Sequence, residues 1–179
     1  YNQMAKDDDA WTKAFALFKV GSIQEKQNKP DDAMASYKKS LEARPSASNS
    51  LDALAKLYDA QKKTEEFLPY LKSLIEPGKD DLPYGFFFDK YKAAGKTDEA
   101  IKTLEEISGK NADNVPIRYA LAAAYKGASQ QDKAIEQYNK IIAKNADDPT
   151  ANKELGDIYK AQGKDQDAVS RYAVAAKSV

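Results

Sequence analysis

Tyr58, Tyr91, Tyr125 and Tyr159 follow one another at intervals of 33, 34 and 34 residues. Four residues before each stands a large apolar residue, Leu54, Phe87, Leu121 or Leu155, and Val20 takes that place one period earlier. Nine residues after the last three tyrosines comes an alanine, Ala100, Ala134 or Ala168, with Ala33 fitting the same column. Four residues further on comes Tyr37, Leu104, Tyr138 or Tyr172. A period near 34 with a large–small–large pattern describes helical hairpins, because i, i+3 and i+4 positions share one face of a helix. A single hairpin cannot cover its own apolar face, so neighbours must stack on it.

The clearest copy is PTANKELGDIYKAQGKDQDAVSRYAVAAK, residues 149–177, with Leu155-Gly156, Tyr159, Gly163, Ala168, Tyr172 and Ala175. It resembles the tetratricopeptide repeat, whose pattern is W-x2-L-G-x2-Y followed by A-x3-F, A and P. The segments at 93–107 and 132–142 resemble the second helix of the same repeat. The resemblance implies an all-α, right-handed α-solenoid of about five helix-turn-helix repeats, at about 14–47, 48–80, 81–114, 115–148 and 149–179. The chain 1–179 reads as a single solenoid domain, a fragment of a longer protein. Residues 1–13 read as a helical extension or as the remnant of an earlier repeat, since 1–6 resemble the helix tail at 138–144.

Turns are expected near Asn28-Lys29-Pro30, Lys62-Lys63-Thr64, Gly95-Lys96-Thr97, Ser129-Gln130 and Gly163-Lys164. Thr97 and Asp165 are candidate caps for the following helices. Asp7–Asp9 are expected to start the long first helix, where acidic residues favour the positive helix end. Trp11 on that helix either folds over the first repeat or packs on a preceding one. Pro69 predicts that the second repeat's second helix starts late, near Leu68, or kinks. Two departures from the pattern read as volume exchanges in a dense core. Phe88 replaces a small residue where its partner is Leu104, and Phe67 replaces an alanine where its partner is Leu71.

Composition narrows function. The 28 basic residues balance 28 acidic ones, so the basic excess that phosphate neutralisation demands of nucleic-acid binders is missing. There is no cysteine and no histidine, which removes disulfides, thiol nucleophiles, Cys/His zinc sites and histidine triads. No phosphate loop, metal loop or nucleophile elbow appears, and no carboxylate pair stands out. The expectation is a non-enzyme with no cofactor, no metal, no nucleic-acid partner and no membrane span. Zero cysteine fits an extracytoplasmic, periplasmic compartment somewhat better than the cytoplasm.

The segment YGFFFDKY, residues 84–91, places Tyr84, Phe87, Phe88 and Tyr91 on one helical stripe and leaves Phe86 on the opposite side. Phe86 then faces either the groove or a neighbouring repeat. The resemblance makes the groove the ligand surface, and the same helical plot puts Phe15, Phe18, Leu82 and Tyr119 on it. Lys92, Lys126 and Lys160 form a polar column, with Asp89 and Asp157 one turn before two of them and Lys153 one turn before Asp157. That column either orients an acidic partner or is a solvated face with weak i,i+3 pairs. A chaperone-tail clamp is not expected, since Phe18, Ser22 and Ala53 stand at its places and Asp157 replaces the asparagine it needs.

These residues point to a protein-interaction adaptor that binds a peptide or protein segment in its concave groove and assembles a larger complex. Aromatic anchors would supply affinity and the Lys/Asp columns orientation. The alternatives are a scaffold that self-associates into a homo-oligomer through uncapped ends, and a regulatory domain of a larger enzyme.

Overall fold

A computed structural model describes the backbone of residues 2–177 and the side chains of 8–177. Among the described residues there are ten α-helices and no strand. They are α1 (Asn2–Lys26), α2 (Pro30–Ala43), α3 (Ser48–Ala60), α4 (Thr64–Ile75), α5 (Tyr84–Ala93), α6 (Thr97–Lys110), α7 (Val115–Gly127), α8 (Gln131–Lys144), α9 (Pro149–Ala161) and α10 (Asp165–Lys177). This is the all-α architecture of helix-turn-helix repeats that the period predicts.

Every hairpin closes in the same way. Asn28, Lys62, Gly95, Ser129 and Gly163 adopt φ of 57°, 57°, 74°, 60° and 71°, the left-handed conformation that ends a helix. The amide of the next residue then reaches back to the carbonyl five residues earlier. Lys63 donates to Tyr58, Lys96 to Tyr91, Gln130 to Tyr125 and Lys164 to Tyr159, at 2.8 to 2.9 Å. In the first hairpin Lys29 donates to Gln24 at 2.9 Å. The tyrosine column therefore marks the carbonyls that anchor the turns, and all five expected turns are in place.

The chain divides into two compact units. Unit 1 is Tyr1–Glu76 with Asp81–Pro83, and it packs α1 on α2, α2 on α3 and α3 on α4. Its core holds Tyr37, Leu41, Leu54, Phe67, Leu68, Leu71 and Ile75, each at most 1% exposed. Phe67 stacks on Tyr58 with ring centroids 4.9 Å apart, so the ring missing at Leu71 is replaced from the alanine column. Gly21 lets Tyr37 lie directly on α1.

Unit 2 is Pro77–Asp80 with Tyr84–Val179. Here α5 packs on α6 and α7, α6 on α7, α7 on α8, α8 on α9, and α9 on α10. Phe88 is buried and Leu104 completely so, as the second volume exchange requires. Before α5, the Pro77–Asp80 stretch is tied down by two bonds. Asn114 Nδ2 donates to the Gly78 carbonyl at 2.9 Å, and the Tyr84 hydroxyl to the Lys79 carbonyl at 2.5 Å.

Three local expectations are corrected. Thr97 is the first residue inside α6, and the N-cap position is Lys96, whose side chain makes no cap bond. The effective side-chain caps are Asn114 on α7 and Asp148 on α9, which accept from the amides of Ile117 and Ala151 at 2.9 and 2.8 Å. α4 begins at Thr64 and runs through Pro69, so the late start does not occur; the proline ring sits on the exposed side. α1 begins at Asn2, so Asp7–Asp9 lie within the helix and do not open it. The likeness of residues 1–6 to a repeat tail concerns side chains outside the described residues, and Tyr1 is outside them altogether.

Candidate functional site: an aromatic cleft and a polar network

In unit 1, Trp11, Phe15 and Phe18 recur at i, i+4 and i+7 on α1, one stripe beside the helix's buried side. Trp11 neither caps the repeat nor sits in a core. It is 52% exposed and stacks on Phe15, with ring centroids 5.3 Å apart and planes 5° from parallel. Phe18 leans on Tyr37 at 5.8 Å. Lys19 Nζ lies 5.0 Å from the Phe15 ring and 5.8 Å from Phe18, holding a cation over both. These rings form one wall of a cleft of about 220 Å³, and the stretch from Arg44 to Ser50 forms the other.

The second wall is polar and fixed. Ser50 Oγ donates to Ser40 Oγ at 2.7 Å, and Ser40 Oγ to the Ala14 carbonyl at 2.7 Å, tying the start of α3 to α1 through α2. Arg44 Nε donates to Ser46 Oγ at 3.2 Å and lies 3.6 Å from Asp81. Behind Phe18, burial and a hydrogen bond to Glu25 push the Tyr37 phenol up to about 12. An open apolar wall facing a rigid polar one suits a segment that buries an apolar side chain and presents backbone groups.

In unit 2, residues chosen from the sequence meet others that were missed. Lys126 of α7 pairs with Glu154 of α9. Lys153 Nζ sits 3.4 Å from Glu154 and 2.7 Å from Asp157. Tyr138 donates to Glu154 at 3.5 Å and Tyr172 to Asp157 at 2.7 Å. The result is a network of two lysines, two carboxylates and two phenols. The hydrogen bonds from Lys153 and Tyr172 hold the Asp157 carboxyl below its usual range. Burial pushes Glu154 up, but the bonds and charges of Lys126 and Lys153 together outweigh it and the net shift is down. Burial and Glu154 together push the Tyr138 phenol up. Glu154 carried no sequence signal, because its column holds Ala120 and Phe86 in the preceding repeats and no residue type recurs there.

The remaining candidates are dispersed. In the aromatic run, Tyr84, Phe87, Phe88 and Tyr91 are all buried, as the stripe predicts, whereas Phe86 is half-buried with Lys90 Nζ 5.5 Å from its ring. Tyr119 donates its hydroxyl to Asp148 and meets Tyr138 edge-on at 6.3 Å. Asp89, Lys92 and Lys160 are exposed, and Leu82, in unit 1, is half-buried. Phe15 and Phe18 are thus brought together with Trp11, and Lys126, Lys153 and Asp157 with Glu154. Among the described residues no group of His, Cys, Asp and Glu is placed to hold a metal ion.

Two models of the tetratricopeptide repeat match, one over residues 16–46 and the other over 91–152, together just over half of the chain. The chain belongs to the tetratricopeptide repeat family. Solved structures carry the same fold. A MamA crystal structure superimposes with a TM-score of 0.57 at 24% identity, covering 88% of this chain and 93% of that one. TTC0263, a thermophilic tetratricopeptide repeat protein of Thermus thermophilus, gives 0.56 at 19% identity, covering 92% and 90%. YrrB, described as a tetratricopeptide repeat protein with an unusual peptide-binding site, gives 0.52 at 15% identity, covering 97% and 89%. No curated protein matches the sequence. Among the described residues no helix is long and apolar enough to cross a membrane.

Proposed function

We propose that this tetratricopeptide repeat chain is an adaptor that binds a peptide or protein segment, with the aromatic cleft of unit 1 as its principal contact. The observation that carries the reading is the Trp11–Phe15 stack, two large rings held parallel at the mouth of a cleft and left substantially exposed. Rigid aromatic anchors contribute contact area at low conformational cost and recur as binding hot spots. Scaffold and protein binding are the general role of such repeats, and the peptide-binding site described for YrrB is in keeping with this reading. The chain acts without chemistry of its own. The charged groups of the unit 2 network pair with one another, which favours a role in orientation over one in anchoring.

The test is peptide selection from a random displayed library on the immobilised chain, repeated with Phe15→Glu. Phe15 is 40% exposed, so this variant keeps its helicity. Peptides enriched by the parent and lost by the variant support the cleft. Peptides held equally by both remove it, and a parallel Phe86→Glu variant then shows whether unit 2 carries the contact.

A further inference from the structure

A second cleft, of about 450 Å³, opens in unit 2 between α6 and α8, with α7 as its floor. Its volume is that of a ligand site, for which about 300–1,000 Å³ is usual. Arg118, Leu121 and Tyr125 recur at i, i+3 and i+7 on α7 and share its floor. Leu121 and Tyr125 are buried. The Tyr125 hydroxyl donates to Glu105 Oε1 on α6 at 2.5 Å, which fixes the floor to one wall. None of these residues belongs to the Lys126–Glu154 network or to the aromatic cleft.

Arg118 meets Gln137 of α8 in this cleft. Arg118 Nη1 donates to Gln137 Oε1 at 3.3 Å and Nη2 to the Ala112 carbonyl, while Nε is buried with no acceptor. Both partners of the guanidinium are uncharged. Asp113 senses its charge, but the bond of that carboxylate goes to Lys144, which lowers it first. Gln137 is only 6% exposed. A guanidinium only donates, so the glutamine turns its carbonyl to Arg118 and its NH2 away. That NH2 has no acceptor among the described residues. At the rim, Lys133 Nζ is 3.8 Å from Glu105 and Lys140 Nζ 2.5 Å from Glu136. Both pairs are exposed and rearrange at little cost. Three cations against two carboxylates leave the lining one positive charge in excess.

We infer that this cleft is a second docking site, which takes a glutamate or aspartate side chain of a partner protein segment. The carboxylate accepts from the Gln137 NH2 and brings the charge that Arg118 lacks, with Lys133 and Lys140 at the rim. A single excess charge calls for one carboxylate. Phosphate and free dicarboxylates bring a second charge, and acetate is too small for the volume. An acidic residue within a peptide brings one charge and a backbone to fill the rest. A chain with one cleft for an apolar side chain and another for an acidic one can hold two segments at once.

The experiment is an NMR titration of the full chain with a capped glycine–glutamate–glycine peptide, following the Gln137 side-chain amide and the Arg118 Nε–H. Both signals are expected to shift and saturate together, and a capped glycine–glutamine–glycine peptide to leave them in place. Gln137→Glu gives Arg118 a carboxylate of its own and removes the free donor. It should weaken binding about tenfold or more, the worth of a hydrogen bond to a charged group. Lys133→Gln/Lys140→Gln changes only exposed residues, so it tests the same site without touching the floor, and it should weaken binding about threefold. Lys102→Gln, exposed on α6 outside the cleft, should bind as the parent does. Silence of both signals overturns the inference. So does an equal response to the glutamine peptide, a stronger response to inorganic phosphate, or unchanged binding by Gln137→Glu and the double lysine variant. Phe15→Glu leaves this titration unchanged, so the aromatic cleft stands or falls separately.

Discussion

Tyr37 lies so close to Gly21 that a Cβ added to the glycine would stand 2.5 Å from the ring's Cε1. The ring is 1% exposed and cannot swing into solvent. The same relationship recurs between Gly156 and Tyr172, at 2.7 Å, but there the ring is only half-buried.

Gly21→Ala should therefore destabilise the protein by about 1–3 kcal/mol, the usual cost of overpacking a core. A glycine-to-alanine change inside a free helix gains about 1 kcal/mol, so the sign itself is diagnostic. Gly156→Ala should cost less, because Tyr172 can move aside. Tyr37→Leu added to Gly21→Ala should recover part of the loss, as Ala55 opposite Leu71 already does in the second repeat. Urea denaturation of the four proteins decides it.

Asn114 is 7% exposed and serves twice, capping the Ile117 amide and donating to the Gly78 carbonyl. Asn114→Ala should cost about 1–3 kcal/mol, a lost cap plus a buried carbonyl left without its partner. Asp148→Ala removes a cap that is more open and should cost about 1 kcal/mol. Lys63→Ala should cost almost nothing, since that N-cap makes no side-chain bond. Thermal melts showing equal losses for Asn114→Ala and Lys63→Ala would contradict this.

Lys62 holds φ of 57° at a turn where Gly95 and Gly163 stand in two other repeats. A left-handed conformation costs a residue with a Cβ about 1–2 kcal/mol, partly offset by glycine's greater freedom when unfolded. Lys62→Gly should stabilise by a few tenths to about 1 kcal/mol, read as a raised melting temperature.

Asp157 and Glu154 both titrate lower in the folded protein than their ordinary 3.8 and 4.5. Their contribution is then complete above those values and lost as pH falls through the lower folded ones. The parent should melt above the Glu154→Gln/Asp157→Asn variant near neutrality, and the gap should shrink below about pH 4. Raising salt should narrow it as well, since the Lys153–Asp157 pair is exposed to solvent. A gap independent of both pH and salt would assign the effect to packing.

The period, the ten helices and the five turns were legible in the sequence because they rest on local rules. Apolar spacing of three and four sets a helix face, a left-handed residue ends each first helix, and the period repeats the pattern until it is unmistakable. The buried stripe Tyr84, Phe87, Phe88 and Tyr91 followed from the same rule, as did the exchanges at Phe67 and Phe88. Capping was misread at Thr97 because a threonine after a turn looks alike whether it sits before the helix or inside it. Only the backbone conformation of Lys96 separates the two.

Tertiary structure decided what depends on helices distant in sequence. It set the Trp11–Phe15 stack against the 44–50 stretch, and it joined Lys126 to Glu154 across two repeats. It also left Val20 45% exposed while burying Leu54, Phe87, Leu121 and Leu155 in the same column. A column states what kind of side chain belongs at a position. Burial depends on whether another helix arrives to cover it, and that is a property of the packed molecule.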